Sequence, residues 1–388
     1  MGSVAAVAGA GDAPVALNGD VYLTGPQDGG LAGLRMVLPG KVGPVDLGTV
    51  TVLASIKLRP DGGLTVQTSP LPRLVGGVPV SIRSFTLTLD RPGFILNASS
   101  CAEQAVRATL TGVGGAVATV SAPYAATDCA GLAFSPKLQA TLGARGKTKV
   151  GSFPPLKAVI TVPEGQGATK VADVALPPML GLDLKKLSKA CGPVQFQSGT
   201  CAKTSRIGTA VATTPLLPGS LTSPVTLASP ALGELPGLAL QLTGAAVSLP
   251  LFGKVTPPSG AGARIANSFA GIPDVPLEKF ELTFTGGTYS PLRLNKDACR
   301  GARQVVIGKF TGHNGRVANV SAKPKIVGCP PTVTLKRKRG KLRATAKPGR
   351  DGAKIRSVKT GKRTKAGYRV TVKDAAKETW KLVVRVRR

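Results

Sequence analysis

The chain has 388 residues, of which 51 are Lys or Arg and 19 are Asp or Glu, so its net charge is +32 with histidine neutral. Hydrophobic residues make up 42% of the sequence, which excludes an intrinsically disordered protein and allows two or three domains with cores of their own. The single histidine excludes the HExxH class of metalloprotease, and the excess of positive charge predicts anionic partners.

The chain is organised around an internal repeat, with copies at residues 85–129 and 280–329. Each copy begins with an alternating strand, Phe-Thr-Leu-Thr-Leu in the first and Phe-Glu-Leu-Thr-Phe in the second, and ends at the second of two cysteines. From a glycine-containing turn onward, residues 111–122 align with residues 311–322 without a gap. A repeat of this kind predicts two modules of the same fold.

Residues 1–145 are predicted to form the first β module. Segments of alternating apolar residues are separated by turns rich in Gly, Pro and Asp, which is the pattern of short antiparallel strands. We predict six strands: Leu34–Leu38, Val50–Leu58, Leu64–Thr68, Val80–Leu89, Arg107–Leu110 and Ala116–Ser121.

The first module is expected to be truncated at its start. Residues 1–6 align with residues 207–212, and residues 20–23 align with residues 224–227, so Met1 corresponds to a position inside the second module. We therefore expect an upstream part that carries further repeats and an export signal, because no signal peptide is visible. A natural start with a chance similarity is the alternative.

Residues 146–206 are predicted to connect the two modules. Lys157–Val162 and Val171–Leu176 are expected to pair as strands around the turn at residues 163–167. A short amphipathic helix is expected to follow, because three leucines fall on one helical face: Leu180, Leu184 and Leu187.

The second module is predicted over residues 207–330 and a small basic Ig-like domain over residues 331–388. Five segments of the basic domain alternate apolar residues with Thr or basic residues: Val333–Leu335, Lys341–Ala346, Ile355–Val358, Tyr368–Val372 and Trp380–Val386. Trp380 is expected in its core. A domain of this size has a marginal core, so we expect it to dock on the preceding module.

Six cysteines lie in three sequential pairs: Cys101 and Cys129, Cys191 and Cys201, Cys299 and Cys329. If both copies of the repeat fold alike, the equivalent pairs form disulfides, which leaves Cys191 to pair with Cys201. Zinc binding is the alternative, but the CxxC spacings that it favours are absent. The predicted fold is therefore all-β, with tandem disulfide-stapled sandwich-like modules, one short helix-containing insert and the Ig-like domain. Disulfides predict an extracellular or cell-surface location.

The repeat also resembles a known family. Residues 87–101 read LTLDRPGFILNASSC, which is similar to a "DRPGF…NPTSC" signature of large secreted β-repeat surface proteins of actinobacteria. Residues 213–217 (TTPLL) and 271–276 (GIPDVP) match other stretches of the same module, and the basic domain resembles, more weakly, Ig-like tails of such proteins. The resemblance implies an exported β-repeat protein and supplies no catalytic residues.

No constellation of catalytic residues is found in the sequence, so we predict a protein that is not an enzyme and has no cofactor and no metal site. His313 falls in the turn of the second copy and is expected to be an exposed turn residue. The acids are few and scattered, and Asp90 is expected to begin an Asp-Arg-Pro-Gly turn. Asn97 and Asn319 match the glycosylation sequon but are interpreted as strand or turn residues.

The basic domain carries the clearest indication of a partner. It has about 21 Lys and Arg against 3 acids, including two runs that are predicted to bind anionic polymers. The residues of these runs are Lys336, Arg337, Lys338, Arg339, Arg385, Arg387 and Arg388. Anionic cell-envelope polymers or polysaccharide are the expected partners, and a solvated basic face without a partner is the alternative. Scarce aromatics disfavour single-stranded nucleic acid, and we expect a monomer without a membrane span.

These observations favour a secreted or cell-surface repeat protein with a structural or adhesive role. An array of carbohydrate-binding modules is the second hypothesis, and exposed rows of aromatic side chains would support it. A secreted hydrolase ranks third because the His and acid constellations are missing. A nuclear or ribosomal nucleic-acid binder ranks fourth, and six free thiols would favour it.

Overall fold

The computed structural model describes residues 1–9, 12, 14–59, 61–231, 234–245, 247–260 and 262–386. Within these ranges the protein is all-β, as the sequence predicts, with two short helices and three disulfides. The chain divides into two compact units. Unit 1 comprises Met1–Cys129, Thr243–Leu249 and Pro273–Val275, and unit 2 comprises the remaining segments.

Unit 1 contains ten strands of the chain's N-terminal part. They are β1 (Gly2–Ala8), β2 (Val15–Thr24), β3 (Ala32–Val42), β4 (Val45–Leu58), β5 (Leu64–Thr68), β6 (Leu74–Val75), β7 (Val78–Pro79), β8 (Ile82–Leu89), β9 (Gln104–Thr111) and β10 (Val117–Tyr124). Six of them form one sheet in the order β5-β4-β3-β2-β1-β8. Its core is formed by alternate residues of β1, β3 and β4 and by Val21 of β2, with Leu34 and Met36 fully buried. Strands β1 and β2 lie outside the predicted segments.

Unit 2 contains the other elements. They are β11 (Lys137–Leu142), β12 (Leu156–Thr161), β13 (Thr169–Ala175), β14 (Leu180–Leu182), α1 (Leu184–Leu187), α2 (Pro193–Gln197), β15 (Arg206–Thr213), β16 (Leu221–Ala228), β17 (Gly237–Gly244), β18 (Val247–Thr256), β19 (Ala266–Phe269), β20 (Lys279–Phe284), β21 (Leu292–Leu294), β22 (Val306–Gly312), β23 (Val317–Ala322), β24 (Lys325–Ile326), β25 (Thr332–Lys338), β26 (Lys341–Lys347), β27 (Ile355–Thr364), β28 (Gly367–Asp374) and β29 (Thr379–Val384). Residues 243–249, in β17 and β18, belong to unit 1.

A twelve-stranded sheet has the order β23-β22-β13-β19-β18-β17-β16-β15-β20-β12-β11-β24. Strand β12 lies between β11 and β20, and β13 lies between β19 and β22. The predicted hairpin of Lys157–Val162 with Val171–Leu176 is therefore wrong. An alternating pattern specifies a strand and its buried face, but it does not specify the neighbouring strand.

The predicted helix is shorter than expected. Leu180 lies in β14, where it pairs with Leu294 of β21, so only Leu184 and Leu187 of the three leucines are helical. The side chain of Asp183 accepts a hydrogen bond from the backbone N–H of Lys185, which caps α1 at its start. The second helix, α2, was not predicted and begins with a proline at its first turn.

The two copies of the repeat pair their strands in the same register. Gly2 of β1 lies opposite Val21 of β2, and its counterpart Gly208 of β15 lies opposite Val225 of β16. On their other side, both glycines pair with the last residue of the strand that opens the repeat, β8 or β20. A Cβ atom at either position would collide with a backbone carbonyl of that strand, so the close approach requires glycine.

An ion pair links the neighbouring strands β12 and β20. Glu281 of β20 accepts hydrogen bonds from Lys157 at 2.8 Å and from Lys279 at 2.5 Å. These two bonds, with Lys157 contributing most, lower the pKa of the Glu281 carboxyl.

The six cysteines form the three disulfides that the repeat predicts. Cys101 bonds to Cys129 and Cys299 bonds to Cys329, at equivalent places in the two copies, and the remaining pair bonds across a separation of ten residues. In each copy the disulfide spans the hairpin that follows the first cysteine, β9–β10 or β22–β23.

The C-terminal domain is a small sandwich of two sheets, β25-β26 and β27-β28-β29. Its core contains Val370, Val372 and Trp380, packed against apolar residues of β25 and β26. Strands β25 and β26 are joined by Arg339 and Gly340, both at positive φ (50° and 75°), as a two-residue type I′ turn requires.

Candidate anion-binding surface

One side of the sheet β25-β26 is covered by positive charge. In β25 and β26, apolar residues such as Leu335 and Ala344 face the core, so the alternate residues face solvent. These exposed residues, named here the first cationic face, include Lys336, Lys338, Lys341, Arg343 and Lys347. Lys336 lies directly opposite Arg343, and Lys338 directly opposite Lys341.

The second sheet has a similar outer side. Val370 and Val372 of β28 point into the core, and the alternate positions of the three strands carry cations. These exposed residues, named the second cationic face, are Lys359, Arg369, Lys373 and Lys381. The sequence-based prediction did not include this face, although the same alternation of apolar and basic residues indicates it.

The structure brings part of the two predicted basic runs together. Leu335 and Val386 form a parallel bridge, with both side chains turned inward, so Arg385 and Lys336 lie on the outer side beside it. Arg337 lies on the core-facing side of β25 but is exposed near the strand end, and Arg339 is exposed in the turn. The remaining two residues of the prediction, Arg387 and Arg388, lie outside the described residues.

The acidic residues of the C-terminal domain are segregated from both cationic faces. All three, Asp351, Asp374 and Glu378, line one cavity of about 290 Å³. The carboxylate of Asp374 is buried and accepts hydrogen bonds from the backbone N–H of Glu378 at 2.9 Å and from Trp380 Nε1 at 3.4 Å. Among the described residues, no cation of either face lies within 4.0 Å of a carboxylate.

Asp351 anchors the C-terminal domain to the preceding part of unit 2. Its carboxylate accepts two bonds from the guanidinium of Arg303, at 3.0 and 2.5 Å, and one from the backbone N–H of Ile326 at 3.0 Å. Partial burial would raise the pKa of Asp351, but these bonds and the neighbouring arginine charges lower it. The guanidinium of Arg145 lies 4.8 Å from the centre of the Trp380 ring. The domain therefore docks as expected.

The other residues considered in the sequence have structural surroundings. His313 is half-buried rather than exposed, because its Nε2 lies 2.8 Å from the carbonyl oxygen of Ile272 and its backbone N–H donates to Ala168. Asn97 and Asn319 are exposed, the latter in β23. No three His, Cys, Asp or Glu side chains of the described ranges are grouped as metal ligands would be. None of the described helices has the length and apolar character needed to span a bilayer.

Exposed aromatic side chains are spread over different elements. Tyr22 lies on β2, Tyr124 on β10 and Phe196 on α2, and Tyr289 precedes β21. Tyr124 is hydrogen-bonded to Gln104 of the neighbouring strand at 2.8 Å. These positions do not form the row of rings on one strand or sheet face that a carbohydrate-binding platform presents.

No protein-family model and no curated protein matches the chain. Solved structures give distant matches. One is a DUF4466 family protein from Parabacteroides merdae, with 10% identity over 61% of this chain and 65% of that chain and a TM-score of 0.21. Two others are structures of BcpA, the major pilin subunit of Bacillus cereus, at 8% and 10% identity. They cover 95% and 98% of this chain and 89% and 85% of theirs, both with a TM-score of 0.24.

Proposed function

We propose that the protein is a secreted or cell-surface protein with a structural or adhesive role, whose C-terminal domain binds anionic polymers of the cell envelope. The observation that carries this proposal is the pair of cationic faces, with at least nine exposed Lys and Arg side chains and no carboxylate within ion-pair distance of them in the described residues. The three disulfides support an oxidising location outside the cytoplasm.

The spacing of the cations suits a polymer with repeated negative charges. Directly opposite residues of an antiparallel pair have Cβ atoms about 5 Å apart, and like charges at such positions destabilise a sheet. The pairs Lys336–Arg343 and Lys338–Lys341 therefore disfavour the fold of the free domain. A bound chain of phosphate or carboxylate groups removes this repulsion, so binding also stabilises the domain.

The proposal is tested by retention of the full chain on purified cell envelopes over a series of salt concentrations. A variant that replaces Lys336, Lys338 and Lys341 with serine is expected to bind at least about tenfold more weakly at low salt. Three exposed charge contacts of roughly 0.5 kcal/mol each amount to about one decade in affinity. Salt is expected to release the unmodified chain, because ions screen exposed charges.

The matched control replaces three exposed lysines elsewhere in unit 2 with serine and so has the same net charge: Lys137, Lys189 and Lys254. It is expected to bind like the unmodified chain. Equal loss of binding in both variants would show that net charge alone is responsible and would contradict a role for the cationic face. Retention that is insensitive to salt and to both variants would instead favour the carbohydrate-binding hypothesis.

A further inference from the structure

The hairpin β9–β10 of unit 1 has an apolar face on which none of the described residues packs. The register places six apolar residues on this face, all of them exposed: Val106, Ala108, Leu110, Ala118, Val120 and Ala122. The opposite face carries mainly Thr, Ser and Arg. An amphipathic hairpin that leaves its apolar face in water has little to stabilise it, since two strands alone are marginal.

The equivalent hairpin of the second copy shows what such a face packs against. Leu110 aligns with Phe310 of β22. Leu110 is 58% exposed, whereas Phe310 is 0% exposed. The face of β22–β23 packs against apolar residues of the three strands β11, β12 and β13: Leu138, Ala140, Ile160 and Val174. The same sequence pattern is therefore buried in one copy and uncovered in the other.

The strand edges of the two copies differ in the same way. In unit 2, β13 lies between β19 and β22, and β12 pairs with β20. The strands β19, β22 and β20 have their counterparts in β5, β9 and β8 of unit 1. Each of these three strands pairs on only one side within the described residues. In the part of unit 1 that the structure describes, two neighbouring strands are therefore absent, one between β5 and β9 and one beside β8. The missing positions are those that β13 and β12 occupy in the second copy.

We propose that unit 1 is completed by a segment equivalent to β11–β13, supplied by a further copy of residues 130–206. The segment would add a β13-type strand to the open edges of β5 and β9 and a β12-type strand to β8, while its apolar residues would cover the hairpin. Main-chain hydrogen bonds to an exposed edge provide affinity, and alternate side chains provide specificity. The chain's own β12 and β13 are not available, since both are already paired on two sides.

The test extends the full chain by joining a second copy of residues 130–206 directly before Met1, which reproduces the order found in the second copy. The readout is the labelling rate of a thiol introduced as Leu110→Cys, because the six natural cysteines are all in disulfides. The extension is expected to slow labelling by maleimide at least about tenfold as the position becomes buried. A thiol introduced as Val113→Cys, in the exposed turn of the hairpin, is expected to label at an unchanged rate.

Proline substitutions identify the edge that the segment uses. The hairpin is closed by a hydrogen bond from the N–H of Gly112 to the carbonyl of Ala116. Hydrogen-bonded and non-hydrogen-bonded pairs alternate along an antiparallel ladder, so the pair Thr109–Thr119 is not hydrogen-bonded. The N–H groups of these two residues therefore point toward the two outer edges of the hairpin. Thr109→Pro is expected to restore fast labelling at position 110 in the extended chain. Thr119 lies on the outer edge of β10, and the equivalent edge of β23 has no neighbouring strand in the twelve-stranded sheet. Thr119→Pro is therefore expected to leave labelling at position 110 slow in the extended chain.

Two results would overturn the proposal. One is an unchanged labelling rate of Leu110→Cys in the extended chain. The other is slow labelling of the chain without extension, together with a dimer in sedimentation, since the occupant would then be a second copy of the chain.

Discussion

The anchoring of the C-terminal domain gives a sharp prediction for Asp351→Ala. This substitution removes two bonds from Arg303 and one from the N–H of Ile326. Hydrogen bonds to charged groups contribute about 1.5–3 kcal/mol to stability when they are shielded from solvent, whereas exposed ion pairs contribute less than about 1 kcal/mol. The side chain of Asp351 is 17% exposed and that of Arg303 is 45% exposed, so we expect a loss of about 2 kcal/mol, or roughly thirtyfold in the docking equilibrium.

The only tryptophan of the chain reports on this interface, because Trp380 lies under the guanidinium of Arg145 and lines the same cavity as Asp351. Urea titration of its fluorescence is expected to show an earlier transition in Asp351→Ala. Asp61→Ala is the matched control, since Asp61 also takes two bonds from an arginine but its side chain is 65% exposed, and it lies in unit 1. A shift in the control as large as in Asp351→Ala would refute the reasoning.

The same carboxylate predicts a dependence on pH. Because the folded state lowers the pKa of Asp351 below its ordinary value of 3.8, its contribution is complete above that value and is lost as the pH falls through the folded pKa. The Trp380 transition of the unmodified chain is therefore expected to move to lower urea in this acidic window, and that of Asp351→Ala to move less.

Further predictions concern the core, a second carboxylate and a disulfide. Phe310→Ala is expected to cost about 3–5 kcal/mol in urea unfolding, whereas Leu110→Ala at the equivalent exposed position changes stability by less than about 0.5 kcal/mol; similar costs would contradict the difference in burial. The pKa of Glu281 is held below its ordinary value of 4.5, so stability is expected to fall as the pH drops below that value, and Glu281→Gln is expected to flatten this part of the profile. Replacing Cys299 and Cys329 with serine opens a loop that spans 30 residues and is expected to cost about 3.5 kcal/mol by the chain-entropy estimate, measured as a lower unfolding midpoint; an unchanged midpoint would contradict it.

Local patterns in the sequence predicted many of the strands, but not β1 and β2, and not all of the strand neighbours. The alternation around Leu34 and around Val370 correctly placed strands and their buried sides, because side-chain direction has a period of two. The repeat predicted the disulfide pairs, since it supplied long-range information. Nothing local indicated that β12 and β13 are separated by other strands, or that Leu180 would pair with Leu294. Such pairings are decided by tertiary contacts that propensity does not encode.

The candidate surface was predictable in part. Charge counting located it in the last residues of the chain, and the run beginning at Lys336 is exposed as expected. The position of Arg385 beside that run depends on the bridge between Leu335 and Val386, which joins positions about 50 residues apart. The sequence also could not show that the three acids line one cavity, because Asp351 and Asp374 are brought together only by the fold.

The three disulfides are all local, closing separations of 28, 10 and 30 residues. Each pair can therefore oxidise once its own segment meets oxidising conditions, without waiting for a partner from a distant part of the chain. A duplicated segment brings both of its cysteines with it, so the number of modules can grow or shrink without leaving an orphan thiol. This local pairing of cysteines is compatible with a polypeptide that gains or loses whole modules.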